Sequence, residues 1–463
     1  MTWRERLSNL DAMFLDLEDR AAHMHVGSVS IYEGSTPPYD ELVALIASRL
    51  DRVPRYRQRL AFVPLGLDRP SWVDDPDLDL EYHVRHTALP PPGGAEPLKR
   101  LAGRVFGQQL DRGKPLWEMW LIDGFAPNRF AILSKAHHCM IDGISGVDLA
   151  TILHDAARDD TAPPPPAQDR RWAPRPPPTG AELALQALRG RVTHPVSLAM
   201  DALHPSTPGR RKLRELVAGV KPLLGISQLG PAPDCSLNRP VGPHRRWDMA
   251  SLDLAAVKQV RAAFGTTVND VLLAVISGAL RELLASRGER PRGDLRALVP
   301  VSVRAPEARN TYGNQVTAVF CPLPIGDADP VVRLQSVSRA MRGLKEGRQA
   351  VGALALTHLR GFAPPTLAAQ AARLAVSSRW FNVVVTNIPG PQHPLFLLGH
   401  RLVECYPAVP LAANQTIGVA LLSYDGRIGI GLLGDADLAR DLPVLARAIP
   451  EDLRDLTARA AAS

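Results

Sequence analysis

Cysteine is scarce in this chain. There are four in 463 residues, Cys139, Cys235, Cys321 and Cys405, and no two form a Cys-x-x-Cys pair. That spacing argues against a zinc ribbon or a thioredoxin-like centre, and thiols this dispersed suit a reducing cytoplasm. Long apolar runs are also missing. The longest, Val271 to Leu280, is bounded by Asp270 and Arg281, well short of the roughly 20 residues needed to span a bilayer. The first twenty residues carry early positive charge without an apolar stretch behind it, so no secretory signal is expected in them. Any membrane contact is therefore expected to be peripheral. Lysine supplies only seven of the 54 basic residues, and the net charge of +7 is spread thinly. Nucleic-acid binders carry denser basic clusters, so no nucleic-acid partner is expected.

What is present is a chain long enough for two cores. Its middle is irregular. Asp159 to Pro178 reads DDTAPPPPAQDRRWAPRPPP, a proline density that neither helix nor sheet interior accepts. From Ala181 to Lys221, seven basic residues face three acidic ones, with leucines interleaved. Two readings of this stretch stay open: a connecting helical segment packed on the body, or an amphipathic surface that touches anionic lipid. The division expected is residues 1–158, a linker over 159–245 that is first proline-rich and then basic and helical, and residues 246–463.

Both flanking parts mix strands and helices. HVGSVSIYEG and RFAILSKAHH read as strands and YDELVALIASRLDRV as an amphipathic helix. Further on, LDLAAVKQVRAAFG and NDVLLAVISGALRELLASRG read as helices, LRALVPVSVR and FNVVVTNIPGP as strands. TIGVALLSYDGRIGIGLLGD is a hairpin closed at Asp425-Gly426, a pair suited to a type I′ turn. Without strict β-α-β alternation, this pattern predicts α/β sandwiches with mixed sheets.

The segment that carries chemistry is His137-His138-Cys139-Met140-Ile141-Asp142-Gly143. Alternation from Phe130 to His138 places the two histidines on opposite faces of a strand, which rules them out as a chelating pair. A helix is expected after Gly143, capped by Ser145 with Asp148 and packed through Val147, Ala150, Leu153 and Ala157. Attack of an alcohol on a thioester requires removal of the hydroxyl proton as the new bond forms. A neutral imidazole suits that step and the later protonation of the thiolate. Asp142 is placed to orient the loop, and Gly143 to supply a backbone angle other residues resist. The alternatives are a histidine packed for structure, a metal at His138 and Asp142, which lacks a third ligand, and Cys139 as nucleophile, which lacks a separate base.

HHCMIDG matches the HHxxxDG signature of the CoA-dependent acyltransferases, a superfamily that includes chloramphenicol acetyltransferase and the peptide-synthetase condensation domains. LSNLDAMFLDLE, MHVGSVSIYEG, DRGKPLWEMWLIDG, SLNRPVGPHRRW, VNDVLLA, VPVSVR with GNQV, NVVVTNIPGP and SYDGRIGIG follow in order from residue 7 to beyond 435. Together they resemble the bacterial wax ester synthase/diacylglycerol acyltransferase family. The resemblance implies two chloramphenicol acetyltransferase-like α/β domains with an interdomain tunnel. It implies acyl-CoA as a substrate, with no cofactor and no metal, and diacylglycerol or a fatty alcohol as acceptor. It assigns His138 as the base and His137 and Asp142 as its support. In the wider superfamily that aspartate pairs with an arginine of the N-terminal half, and Arg59 is the candidate here.

The remaining motif residues have plain structural readings beside functional ones. Thr267 with Asp270 fits a helix cap, Asn269 either belongs to that helix end or places substrate, and Arg304 meets either CoA phosphate or a structural partner. Asn382 and Asn387 fit the support of the Asn-Ile-Pro-Gly-Pro turn, Pro115-Leu116-Trp117 fits packing, and His23 and His25 fit core packing or the cleft mouth. The function expected is triacylglycerol synthesis, with wax esters a further product and a peripheral place on membranes or lipid inclusions. The rivals are a condensation-like enzyme with another donor or acceptor, and a non-catalytic lipid binder.

Overall fold

The computed structural model describes residues 5–140, 153–158, 172–189, 230–302, 316–346 and 379–462. Two six-stranded sheets and a small three-stranded one organise these residues. The strands of the first six-stranded sheet are β2 (His25–Glu33), β5 (Val84–Ala88), β6 (Trp117–Ala126), β7 (Arg129–His137), β12 (Phe396–Leu397) and β13 (His400–Ala408), in the order β12-β13-β2-β7-β6-β5. Its pairs are antiparallel except β5 with β6. The second runs β10-β9-β11-β14-β15-β8, with β8 Arg245–Asp253, β9 Leu295–Ser302, β10 Val316–Leu323, β11 Val383–Pro389, β14 Ile417–Tyr424 and β15 Arg427–Asp435. Its β11 is parallel to both neighbours. Both sheets are therefore mixed, as the sequence pattern predicts. The small sheet is β1 (Glu5–Arg6), β4 (Ser71–Asp74) and β3 (Gln58–Ala61).

Alternation along β7 sets where each side chain goes. Phe130, Ile132 and Ala136 enter one core with Tyr32, Leu42 and Met119. Ala131 and Leu133 enter another with Val29, Ile31, Trp247, Tyr406 and Leu433. Period-two patterning thus gives a strand buried on both faces. The second of these cores contains residues of both sheets, so it also joins them.

The boundaries read from the sequence place 246–463 in one unit, yet β13 hydrogen-bonds along β2 in the other sheet. Glycine makes the crossing possible. A Cβ at Gly429 would overlap the carbonyl of Cys405, and one at Gly431 the carbonyl of Pro407, so β15 has no side chains where β13 lies across it. Nor are residues 230–245 a linker. Cys235 and Leu237 are buried in the core of the second sheet, and Asn238 Nδ2 donates to the carbonyls of Phe381 and Asn414.

Local signals predict most element ends. The β14–β15 turn has positive φ at both Asp425 and Gly426, the type I′ requirement. Helix α6 (Val268–Ser286) opens with a capping box in which Thr267 and Asp270 exchange side-chain and backbone bonds of 3.2 and 3.0 Å. Twelve of its residues, spread around its circumference, are buried, so the longest apolar run of the sequence is a core helix. Helix α5 (Leu254–Phe264) meets it at 103°, and among the described residues no single helix is long and apolar enough to cross a membrane.

Candidate active site

Helix α1 (Asn9–Leu17) starts where Ser8 Oγ accepts from the Asp11 N–H at 3.1 Å. Its far end meets both histidines. Phe14 stacks on the His138 ring with centroids 3.8 Å apart and planes 24° off parallel. Glu18, the C-cap residue one turn later, accepts from His137 Nε2 at 3.0 Å and from Arg112 Nη2 at 2.7 Å.

Strand β7 stops at His137, one residue earlier than the alternation predicts, and His138 opens a 3-10 turn, His138–Met140. The His138 N–H still reaches the Met24 carbonyl at 2.8 Å. His137 is fully buried. Its Nδ1 accepts from the Cys139 N–H at 3.1 Å, so Nε2 carries the proton and donates to Glu18. His25, cross-strand from His137, brings Nε2 to 3.4 Å from Glu18 Oε1. Burial raises the Glu18 carboxyl, but hydrogen bonds from His137, His25 and Arg112 outweigh it and hold the group far below the ordinary carboxylate range. Burial pushes His25 down to about 3 and lowers His23 as well. Both of these are packed residues.

His138 differs from its neighbour. It remains partly exposed, and Nδ1 has no group in hydrogen-bond geometry among the described residues. Desolvation lowers the imidazole to about 4, opposed by its own main-chain carbonyl. At neutral pH the ring is therefore an uncharged base. Cys139 is buried and its thiol is raised well above the ordinary value by desolvation, the reverse of what a nucleophile needs.

Other sequence candidates divide. Asp142, Gly143 and Arg304 lie outside the described residues. Arg59 has Asp75 within 3.5 Å of its Nε. The helix read as continuing to Ala157 is over by His154: Asp155 exchanges backbone bonds with Phe396 at 2.7 and 2.9 Å, and both its carboxylate oxygens accept from Nη2 of buried Arg49 at 2.7 and 2.8 Å. Asn269 Oδ1 lies 3.5 Å from Asn387 Nδ2, joining the α6 end to β11, while Asp270 caps the helix and also accepts from Ser338 Oγ at 3.1 Å. Asn382 is fully buried and bonds Pro233 and Asn238. Leu116 and Trp117 are packed. Sequence reasoning missed Glu18 as the partner of His137 and Arg112 as the second donor to Glu18, although both lie inside motif words. Nothing in their spacing says that residues 94 and 119 positions apart meet at one carboxylate.

Residues 7–272 match the wax ester synthase/diacylglycerol acyltransferase catalytic domain family, and residues 312–457 match the WS/DGAT C-terminal domain. The chain belongs to this family. Among curated relatives of this acyltransferase, Mycobacterium tuberculosis tgs1, named a diacylglycerol O-acyltransferase, is 37% identical over 98% of this chain and 96% of its own length. M. tuberculosis tgs2, which carries the same name, is 35% identical over 96% and 97%. The wax ester synthase/diacylglycerol acyltransferase of Marinobacter aquaeolei VT8 superposes with a TM-score of 0.68 at 27% identity, covering 98% of this chain and all of that one. The first condensation domain of the calcium-dependent antibiotic synthetase shares the fold at 17% identity and a TM-score of 0.58, over 99% and 97%. This WS/DGAT-family enzyme thus shares its overall fold with condensation domains.

Proposed function

We propose that this enzyme transfers a long-chain acyl group from acyl-CoA to diacylglycerol, forming triacylglycerol, with His138 as general base. The observation that carries the chemistry is the contrast between the adjacent histidines. His137 is buried and committed at both nitrogens, whereas His138 is partly open and neutral. In the proposed step His138 Nε2 takes the hydroxyl proton as the alkoxide oxygen attacks the thioester carbon. Collapse of the tetrahedral intermediate breaks the C–S bond, and the imidazolium returns the proton to the CoA thiolate. No covalent acyl-enzyme, cofactor or metal enters. A tunnel between the two sheets would bring donor and acceptor to the ring. The full-length likeness to relatives named diacylglycerol O-acyltransferases supports the choice of alcohol. Fatty alcohols, giving wax esters, are the second acceptor class, supported by the name of the Marinobacter enzyme. Purified protein given labelled palmitoyl-CoA and diacylglycerol should form labelled triacylglycerol and release one free thiol per ester. Thiol release without labelled neutral lipid from either alcohol would refute the proposal.

The same reading places the enzyme on a lipid surface. Phe62, Leu65, Leu185 and Leu188 are all exposed, Leu65 at 91%. They sit on two adjoining segments, the chain around 61–67 and the helix at 180–189, which pack through Val63, Leu183 and Ala187. Beside them a cleft of about 420 Å³ is lined by Leu60, Phe62, Leu183, Arg59 and Arg112, among others. Exposed apolar side chains rimmed by arginine suit an anionic lipid interface. Phosphatidylglycerol-containing liposomes should float the wild type and bind a Leu65→Glu/Leu188→Glu variant about 100-fold more weakly, since two leucines buried in lipid contribute at least about 3 kcal/mol. Equal flotation of the two would remove this surface from the proposal.

A further inference from the structure

We infer that Glu18 is a positioning residue for the acyl transfer, acting through His137 on the main chain that presents His138. The inference rests on the reading of His138 as the base.

The geometry forms one chain of contacts. Glu18 accepts the His137 Nε2 proton at 3.0 Å, and that bond leaves Nδ1 as an acceptor. Nδ1 takes the Cys139 N–H at 3.1 Å, inside the turn whose first residue is His138. In the other tautomer Nδ1–H would face an N–H and Nε2 would face a carboxylate with no proton between them, so both bonds would fail together. Glu18 thus selects the His137 tautomer that holds the turn. The same helix supplies the second constraint. Phe14, one turn before Glu18, carries the stack under the His138 ring, and the Glu18 N–H donates to the Phe14 carbonyl at 3.2 Å. One short helix therefore fixes both the backbone of the turn and the plane of the ring.

The groups around Glu18 fit an acceptor in that role. Arg112 donates to Oε2 at 2.7 Å and also to the Leu15 carbonyl at 3.3 Å, and His25 stands 3.4 Å from Oε1. With the side chain 2% exposed, water cannot replace it as the partner of His137. Arg112 also lines the cleft beside the exposed leucines, so its charge is shared between the cleft wall and Glu18.

The test compares Glu18→Gln, which keeps an acceptor oxygen, with Glu18→Leu, which keeps the volume and removes the acceptor. Triacylglycerol formation is followed at saturating and limiting acyl-CoA. Glu18→Leu should lose about 100-fold in kcat, the scale of a small misplacement at a reacting group, while the acyl-CoA KM moves less than about twofold. Glu18→Gln should stay within about tenfold of wild-type kcat. In a His137→Ala background either substitution should add little, because its route is already cut. Equal losses in the two variants, a change confined to KM, or losses that multiply with His137→Ala would overturn the inference. If Glu18→Leu does not fold, Glu18→Gln and its combination with His137→Ala still decide additivity. The reading of His138 fails separately, through a folded His138→Ala enzyme that keeps its activity whatever residue 18 is.

Discussion

His138→Ala is expected to lower kcat for triacylglycerol formation by about 10²- to 10⁴-fold, the range a positioned general base contributes. The acyl-CoA KM should stay within about twofold, because the ring takes the hydroxyl proton in the transition state and does not hold acyl-CoA in the ground state. The substitution also removes the Phe14 stack, so a companion His138→Phe variant should keep that packing and be equally inactive. A folded His138→Ala protein retaining more than about a tenth of wild-type kcat would be incompatible with this assignment. The pH dependence gives a second measurement. Burial lowers the imidazole to about 4, so the base is unprotonated through the neutral range. The acid limb of kcat/KM should fall through about pH 4 instead of near 6.5, the ordinary value. Stability moves the same way. A group whose folded pKa is lowered contributes fully above its unfolded pKa of about 6.5 and loses that contribution as pH falls toward 4. His25, lowered to about 3, adds to the effect, so folding must be monitored at each pH.

Gly431→Val is expected to be the most damaging single change away from the site. The added Cβ would overlap the Pro407 carbonyl of β13, backbone held in a ladder against β2. A neighbouring side chain can rotate away from such an overlap, whereas a paired strand cannot. The loss should reach the roughly 4–5 kcal/mol that marks exceptional substitutions, seen as little soluble protein or, for a chain of this length, a Tm lowered by about five degrees. Gly288→Ala is the control. Gly288 has positive φ but no atom within 4 Å of its added Cβ, and the cost should be about 1 kcal/mol of backbone strain. Comparable Tm values for the two variants would show that β13 yields and that the crossing is loosely packed.

What the sequence determined by itself was local. Alternation in RFAILSKAHH assigned β7, Asp425-Gly426 assigned the hairpin turn, and Thr267 with Asp270 assigned the start of α6, because each depends on residues within a few positions of one another. The family words assign His137 and His138 to an acyltransferase signature from sequence alone. Tertiary structure decided what depends on distant pairs. It ended β7 at His137, put Cys235 and Leu237 into the core of the second sheet, lent β13 to the opposite sheet, and gave Arg59 the carboxylate of Asp75 within 3.5 Å. Above all it brought Glu18, Arg112 and His137 together. No spacing rule reaches across such separations. Which nitrogens of an imidazole are bonded, and how far the ring is exposed, depends on the groups that surround it in space, so the difference between two adjacent histidines became visible only in the folded chain.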